Sequence, residues 1–305
     1  MNIVFMGTPD FAAASLSALI EAGHTISAVF TQPDKPVGRH RVMTAPPVKE
    51  LALKHNIEVF QPDTLKDGKA AEILISLAPD LIAVVAYGKL IPEEILSIPP
   101  LGCINVHGSL LPALRGAAPI QWSVINGEKY AGVTTMYMDK GLDTGDIILS
   151  DKTEIKEGET SGELYERLAP MGAELLLKTV KLLSEGNAER IPQDNLKATY
   201  APMLNKEMAV LDFEKSAKEL CSLICGLNPW PVAYTTLGGK RLKVFRAISV
   251  NAKGNVGTLI DDKRFIVACG DGAIELLEVQ IEGSKAQSGQ EFMRGRRLPV
   301  GTQLK

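Results

Sequence analysis

Asn105 and His107 stand two residues apart in the apolar run Cys103-Ile-Asn-Val-His107, so a strand here sends both side chains out of one face. That face would carry a carboxamide and an imidazole side by side. The run halts at Gly108, and the Ser109-Leu-Leu-Pro112 segment after it cannot continue a central strand. The pair is therefore expected at a strand's carboxyl end, where open α/β sheets bind ligands. Asp143 lies between Gly141 and Gly145 in a loop able to bring a carboxylate to the imidazole. A donor for a developing oxyanion, a proton carrier and a carboxylate that orients it together suit acyl-type transfer. Taken singly, each has a plainer reading: a histidine in an apolar strand is commonly a satisfied core residue, and an aspartate in a Gly-rich turn serves the turn.

These residues sit within longer motifs. Asn105-Val-His-Gly-Ser-Leu-Leu-Pro112, Arg115-Gly-Ala-Ala-Pro-Ile120 and Met138-Asp-Lys-Gly-Leu-Asp-Thr-Gly-Asp-Ile147 together resemble the signature of the folate-dependent formyltransferases. The likeness runs nearly end to end, through Asn2-Ile-Val-Phe-Met-Gly-Thr-Pro-Asp-Phe11 and Thr31-Gln-Pro-Asp-Lys-Pro-Val-Gly-Arg39. Ala198-Thr-Tyr-Ala-Pro-Met203, Gly226-Leu-Asn-Pro-Trp-Pro231 and Gly295-Arg-Arg-Leu298 are similar to the branch whose acceptor is the methionyl amino group on initiator tRNA.

The resemblance implies a doubly wound, Rossmann-like parallel-sheet domain over residues 1–188, a linker over 189–205, and a smaller OB-like β-barrel domain over 206–305 that binds tRNA. It implies 10-formyltetrahydrofolate as formyl donor and initiator methionyl-tRNA as partner; no metal is expected, because the His-Asn-Asp set lacks the ligand number and spacing of a metal site, and a monomer is expected. Asn105, His107 and Asp143 become the catalytic set: His107 and Asn105 facing the formyl oxygen, Asp143 holding the imidazole and an ordered water. Ser109, Leu110, Leu111 and Pro112 become the folate contacts, with residues 88–92 lining the slot for the pterin ring. Leu90 and Ile91 read equally well as plain core. The chain departs from the family's usual pattern at His40, at Ala113 and Leu114, at Cys225 and at Val232, so acceptor contacts near these positions are expected to differ.

Residues 31–47 form a connection far longer than the roughly 2 to 6 residues usual in α/β units. The resemblance makes it the insertion that reaches the acceptor end of the tRNA, with Arg39 as its main contact and Lys35 and Arg41 beside it. Two other formyl-transfer readings remain open, a small amine acceptor such as glycinamide ribonucleotide or an amino sugar nucleotide, and a hydrolase releasing formate. So does a non-catalytic tRNA-binding or folate-binding protein.

Composition and patterning frame these motifs. With 305 residues, 45% hydrophobic and 23% charged, the chain suits two domains. No apolar run reaches the roughly 18 residues of a membrane span, and the start lacks a basic leader, which points to the cytoplasm. Of its four cysteines, Cys221 and Cys225 stand four apart with none of the four histidines near them, which makes no metal pair, so burial is the expected role. Continuous apolar runs at residues 2–6, 25–30 and 80–87 read as strands buried on both faces, with helices at 11–23, 46–55 and 67–78 between them. Alternation of this kind predicts a parallel sheet with right-handed crossovers. Gly7-Thr-Pro-Asp-Phe11 lacks the glycines of a dinucleotide loop, which excludes a nicotinamide cofactor. Strands are expected at 133–138 and 146–155 and a long amphipathic helix at 160–186. Beyond it come a helix at 215–225 and short strands at 234–237, 242–247, 257–260, 265–268 and 274–279. Residues 1–205 carry 18 Lys and Arg against 25 Asp and Glu, a balance of −7, and residues 206–305 carry 15 against 11, a balance of +4. A basic tail suits a polyanion, with Lys240, Arg241, Lys243, Arg246, Arg294, Arg296 and Arg297 as a candidate track.

Overall fold

The computed structural model describes residues 1–38 and 41–305. Contacts divide it into two compact units: residues 1–119, 131–153 and 165–201, and residues 120–130, 154–164 and 202–305.

In the first unit the apolar runs become the centre of a seven-stranded sheet. Ile3, Val4, Phe5 and Met6 in Asn2–Gly7 are fully buried, as are Leu81, Ile82, Ala83 and Val85 in Leu81–Val85, because helices cover both faces of a parallel sheet. Strand order runs Ile147–Glu154, Tyr130–Tyr137, Cys103–His107, Leu81–Val85, Asn2–Gly7, Thr25–Phe30, Val59–Phe60. From Cys103–His107 to Val59–Phe60 every pairing is parallel; Tyr130–Tyr137 joins antiparallel to Cys103–His107. The chain lays strands outward on one side of Asn2–Gly7 and then returns to build the other side. This creates a topological switch point between Asn2–Gly7 and Leu81–Val85, where ligands of doubly wound folds bind beyond the carboxyl ends.

Helix Asp10–Glu21 follows Pro9 and buries Phe11, Leu16 and Leu19. Helix Ser161–Ser184 covers the sheet with Leu168, Leu175, Leu176 and Val180. It is tied to Tyr130–Tyr137 by a 2.7 Å hydrogen bond between Thr179 and Thr135 hydroxyls, both fully buried. The expected strands and helices of this unit lie within a few residues of their observed ends. One addition stands out: the connection over residues 31–47 contains an antiparallel hairpin of Lys35–Val37 and Val42–Thr44. No helix among the described residues is long and apolar enough to cross a membrane. Among the described residues no group of three or more His, Cys, Asp or Glu could hold a metal ion.

The second unit has an antiparallel sheet of Tyr234–Leu237, Lys240–Val250, Ala273–Ile281 and Ile266–Ala268, with Gln287–Ser288 also paired to Ala273–Ile281. A register shift between Val244 and Ala247 moves the buried positions of Lys240–Val250 from Leu242 and Val244 to Ala247, as a bulge does. Helices Ala217–Gly226 and Gly289–Arg296 each open on a capping box, Ser216 with Glu219 and Ser288 with Glu291. Residues 257–260, expected as a strand, form only isolated bridges such as Thr258 to Gln303 and Leu259 to Val267. Helix Gly289–Arg296 lies outside the expected elements, since its eight residues bury only Gly289, Phe292 and Met293, too few for a visible period.

Glu163 closes a capping box in this unit. Thr160 donates to its Oε2 from both the backbone N–H and the hydroxyl, each at 2.9 Å, and Arg246 Nη2 donates to Oε1 at 2.5 Å. The Thr160 backbone N–H first, and Arg246 next, hold the Glu163 carboxyl down to about 2, against an ordinary value of 4.5. A lowered carboxyl stabilises the fold above its unfolded value and ceases to as the pH falls through the folded one. The side chain is 45% exposed, so solvent screens the effect and makes it small. The stability advantage of the native chain over Glu163→Gln should stay constant above pH 4.5 and close toward pH 2. Urea unfolding across that range checks this, and a gap that does not change with pH would contradict it.

Candidate active site

Asn105 and His107 emerge on one face at the end of Cys103–His107, Asn105 half-buried and His107 6% exposed. No other described residue hydrogen-bonds the Asn105 carboxamide. The imidazole is held on both sides. Its Nε2 lies 2.9 Å from the Leu114 carbonyl, and because a carbonyl only accepts, Nε2 is the donor. Its Nδ1 faces Asp143 Oδ2 at 3.7 Å, a charge contact longer than a hydrogen bond.

The Asp143 loop is shaped by close backbone packing. A Cβ at Gly145 would lie 1.8 Å from the Tyr137 carbonyl oxygen, so only glycine fits. Asp139 Oδ1 gathers the turn by accepting from Gly141 N–H at 2.9 Å and from the Thr144 hydroxyl at 2.6 Å. Asp143 itself has φ of +53°, and its Oδ2 accepts the Gly116 N–H at 2.8 Å. Gly116, at φ +119°, pairs with the strand Tyr200–Ala201, where a Cβ would meet the Ala201 carbonyl oxygen at 2.8 Å.

Residues 191–201, part of the stretch 189–205 expected to link the domains, contact the site. Thr199 Oγ1 accepts Leu114 N–H at 2.9 Å and Thr199 O accepts Arg115 N–H at 2.9 Å. Gln193 Nε2 donates to the carbonyls of Asp143 at 2.9 Å and Gly145 at 2.8 Å. Single polar contacts of this kind have no sequence period. The need for them appears only in the structure, where Arg115 is 2% exposed and a buried guanidinium needs acceptors.

The folate candidates lie directly after the strand. The Ser109 hydroxyl donates to the Ala113 carbonyl at 2.6 Å, and Ser109 O accepts from Thr134 Oγ1 at 2.7 Å. Thr134 Oγ1 in turn accepts Leu111 N–H at 3.2 Å. With the polar atoms of Ser109 engaged internally, Leu110, Leu111 and Pro112 offer an apolar wall. Leu110 packs beneath Gly132, where a Cβ would come within 2.5 Å of its Cδ2. Of the pair left open in residues 88–92, Ile91 joins the core at 8% exposure and Leu90 stands free at 74%.

Of the residues expected to meet tRNA, Lys35 and Arg41 are exposed on the hairpin, and Arg39 lies outside the described residues. Asp34, the one acid nearby in sequence, is engaged by Lys49 at 2.8 Å and Gln61 at 2.7 Å. In the second unit Arg246 is taken by Glu163, while Arg241 lies over the Tyr234 ring at 4.2 Å and Arg296 over Phe292 at 5.0 Å. All four cysteines are free, three of them buried and Cys221 half-buried. Burial pushes the Cys103 thiol up to about 12, so it is no nucleophile.

The model of the formyl transferase family matches residues 1–180, and that of the formyl transferase C-terminal domain matches residues 203–297. The chain belongs to the formyltransferase family. This formyltransferase is 46% identical, over 100% of its own length and 99% of the other's, to the methionyl-tRNA formyltransferase of Acetivibrio thermocellus. Its fold is similar to the N-formyltransferase of Helicobacter canadensis solved with folinic acid and dTDP-3-aminofucose, at TM-score 0.70 and 20% identity over 90% of this chain and 98% of that one. It is also similar to HypX of Aquifex aeolicus solved with tetrahydrofolic acid, at TM-score 0.66 and 18% identity. That match covers 98% of this chain, which spans half the length of HypX.

Thr134 is fully buried, and its hydroxyl alone joins Ser109 O to Leu111 N–H. Thr134→Val keeps the volume and strands both groups, so it should cost about 1 to 3 kcal/mol for each one left unpaired. Urea unfolding reads this directly; a loss under about 0.5 kcal/mol, within the range of an ordinary surface change, would show that the apolar wall does not depend on it.

Proposed function

We propose that this formyltransferase moves the formyl group of 10-formyltetrahydrofolate to the amino group of methionine on initiator tRNA. One observation carries the chemistry: a buried imidazole backed by a carboxylate shares the carboxyl end of a central strand with a carboxamide that no other described residue hydrogen-bonds. The acceptor rests on the end-to-end relationship to a methionyl-tRNA formyltransferase.

The donor fits what the chain presents after that strand. Leu110, Leu111 and Pro112 give an apolar wall for a flat heterocycle. Attack by the neutral amine on the formyl carbon forms a new C–N bond and places negative charge on the formyl oxygen. Asn105 donates to that oxygen, and such donors are worth most where water is excluded. His107 supplies the second contact by turning to the formyl oxygen the Nε2–H that it now donates to the Leu114 carbonyl. The amine loses one proton and the folate nitrogen gains one as its bond to the formyl carbon breaks, so charge and hydrogen balance; once Nε2 has handed its hydrogen to the formyl oxygen, its free lone pair can relay that proton. Asp143 orients the imidazole through Nδ1.

On this reading residues 1–188 hold the chemistry, residues 189–205 link, and residues 206–305 form an OB-like module for tRNA. The bridges Leu237 to Leu304 and Thr258 to Gln303 support that module's closure. Arg39, with Lys35 and Arg41, meets the acceptor end; a hairpin bearing Lys35 and Arg41 exposed suits a phosphate backbone. Asn105, His107 and Asp143 come from one chain, so a monomer suffices, and the acceptor places it in the cytoplasm.

Purified protein should formylate charged initiator tRNA from 10-formyltetrahydrofolate and leave glycinamide ribonucleotide and an amino sugar nucleotide unchanged. In the same assay Arg39→Ala should raise KM for the tRNA and not for the donor. Formylation of a small amine, or free formate with no acceptor modified, would overturn the acceptor assignment. An unchanged tRNA KM would remove Arg39 from it.

A further inference from the structure

The loop bearing Asp143 is held from behind by one amide. Gln193 Nε2 donates to the carbonyls of Asp143 and Gly145 at 2.9 and 2.8 Å, bracketing Thr144. An amide could stand either way round; Arg115 decides which. Its Nε and Nη2 donate to Gln193 Oε1 at 3.1 and 2.7 Å, and Nη2 also reaches Asn195 Oδ1 at 2.9 Å. Arg115 is buried at 2% exposure, and its planar fork presents donors in one fixed arrangement. Oε1 must face the guanidinium, so Nε2 must face the loop.

We propose that Gln193 is a positioning residue for formyl transfer, fixing the backbone of Asp143 so that its carboxylate faces His107. The support is needed because Asp143 sits at φ +53°, a region that non-glycine residues keep only when their surroundings impose it. Gly116 N–H grips the carboxylate end, and Gln193 grips the backbone end. Asp139 gathers Gly141 and Thr144 of the same turn but does not hold the Asp143 carbonyl; without the second grip that peptide can shift about the first, and the 3.7 Å approach of Oδ2 to Nδ1 is lost. Ile191, two residues earlier, pairs with Ile147 by backbone bonds of 2.8 and 3.0 Å, so the segment that presents Gln193 is itself anchored to the sheet. This inference rests on the role given to Asp143 above.

Gln193→Glu tests it. The substitution keeps the length of the side chain and an oxygen for Arg115, but turns the donor toward the loop into an acceptor facing two carbonyl oxygens. A displacement of about 1 Å in a catalytic group can cost roughly 100-fold in rate, so kcat should fall by about 10- to 100-fold, with KM for folate and tRNA within about twofold. Gln193→Met, which fills the space without donating, should behave alike and serves if the glutamate variant does not fold. The deciding readout is a double-mutant cycle: in an Asp143→Asn background, either Gln193 change should lower kcat by less than about twofold, because residues that act as a unit are not additive. An unaltered kcat, a rise in KM instead, or the same fold-loss in both backgrounds would overturn the proposal. Full kcat in Asp143→Asn alone would overturn the role of Asp143 first, and is distinct from those outcomes.

Discussion

The hydrogen bond from His107 Nε2 to the Leu114 carbonyl is the constraint around which the site is arranged. An imidazole at 6% exposure needs partners for its nitrogens, since an unpaired buried polar group is costly. One partner is a backbone carbonyl seven residues on, which exists in that place only if the chain turns sharply after the strand. Leu114, at φ +60°, makes that turn. Thr199 then holds Leu114 through its N–H, and the pairing of Arg115 and Gly116 with Tyr200 and Ala201 extends the support by two residues. Gly116 in turn supplies the N–H that fixes the second partner, Asp143. Two sides of one ring are therefore set by one short stretch of backbone, residues 114–116, and that stretch is set by residues 199–201.

The sheet's contribution is location. By running strands outward from Asn2–Gly7 and then returning, the topology opens a crevice at the carboxyl ends of its central strands. Cys103–His107 ends there, so the ring arrives at the crevice without any loop having to carry it. Residues 109–112, next in the chain, present an apolar surface because Ser109, the polar residue among them, uses its hydroxyl and its carbonyl internally. On the proposed reading the catalytic pair and the donor wall are thus consecutive in the chain, and the Asp143 carboxylate is brought from elsewhere.

Much of this is legible in the chain itself. Spacing alone puts Asn105 and His107 on one face, and fully apolar runs mark the buried parallel strands, because burial on both faces leaves no room for alternation. The motifs around Asp143 are legible by resemblance, and Gly145 has a physical reason to be there in the close approach of Tyr137. The illegible part is polar and non-periodic. Gln193 and Thr199 each matter through one or two hydrogen bonds, and neither falls on a helical or strand period. The hairpin of Lys35–Val37 and Val42–Thr44 is short and exposed, so its residues carry no burial pattern. Arg246 joins the candidate phosphate contacts on its charge; its bond to Glu163, 83 residues away, is invisible to local reading.

On the proposed mechanism His107, Asn105 and Asp143 act on the chemical step and not on binding. Rapid-quench single-turnover formyl transfer by His107→Ala, with both substrates saturating, tests it most directly. The chemical step should slow by roughly 100- to 1,000-fold, the cost of losing one oxyanion donor, with the equilibrium affinity for the folate donor unchanged. A chemical step within a few-fold of the native rate, with the loss appearing in donor affinity instead, would contradict it and make His107 a residue of the pocket wall.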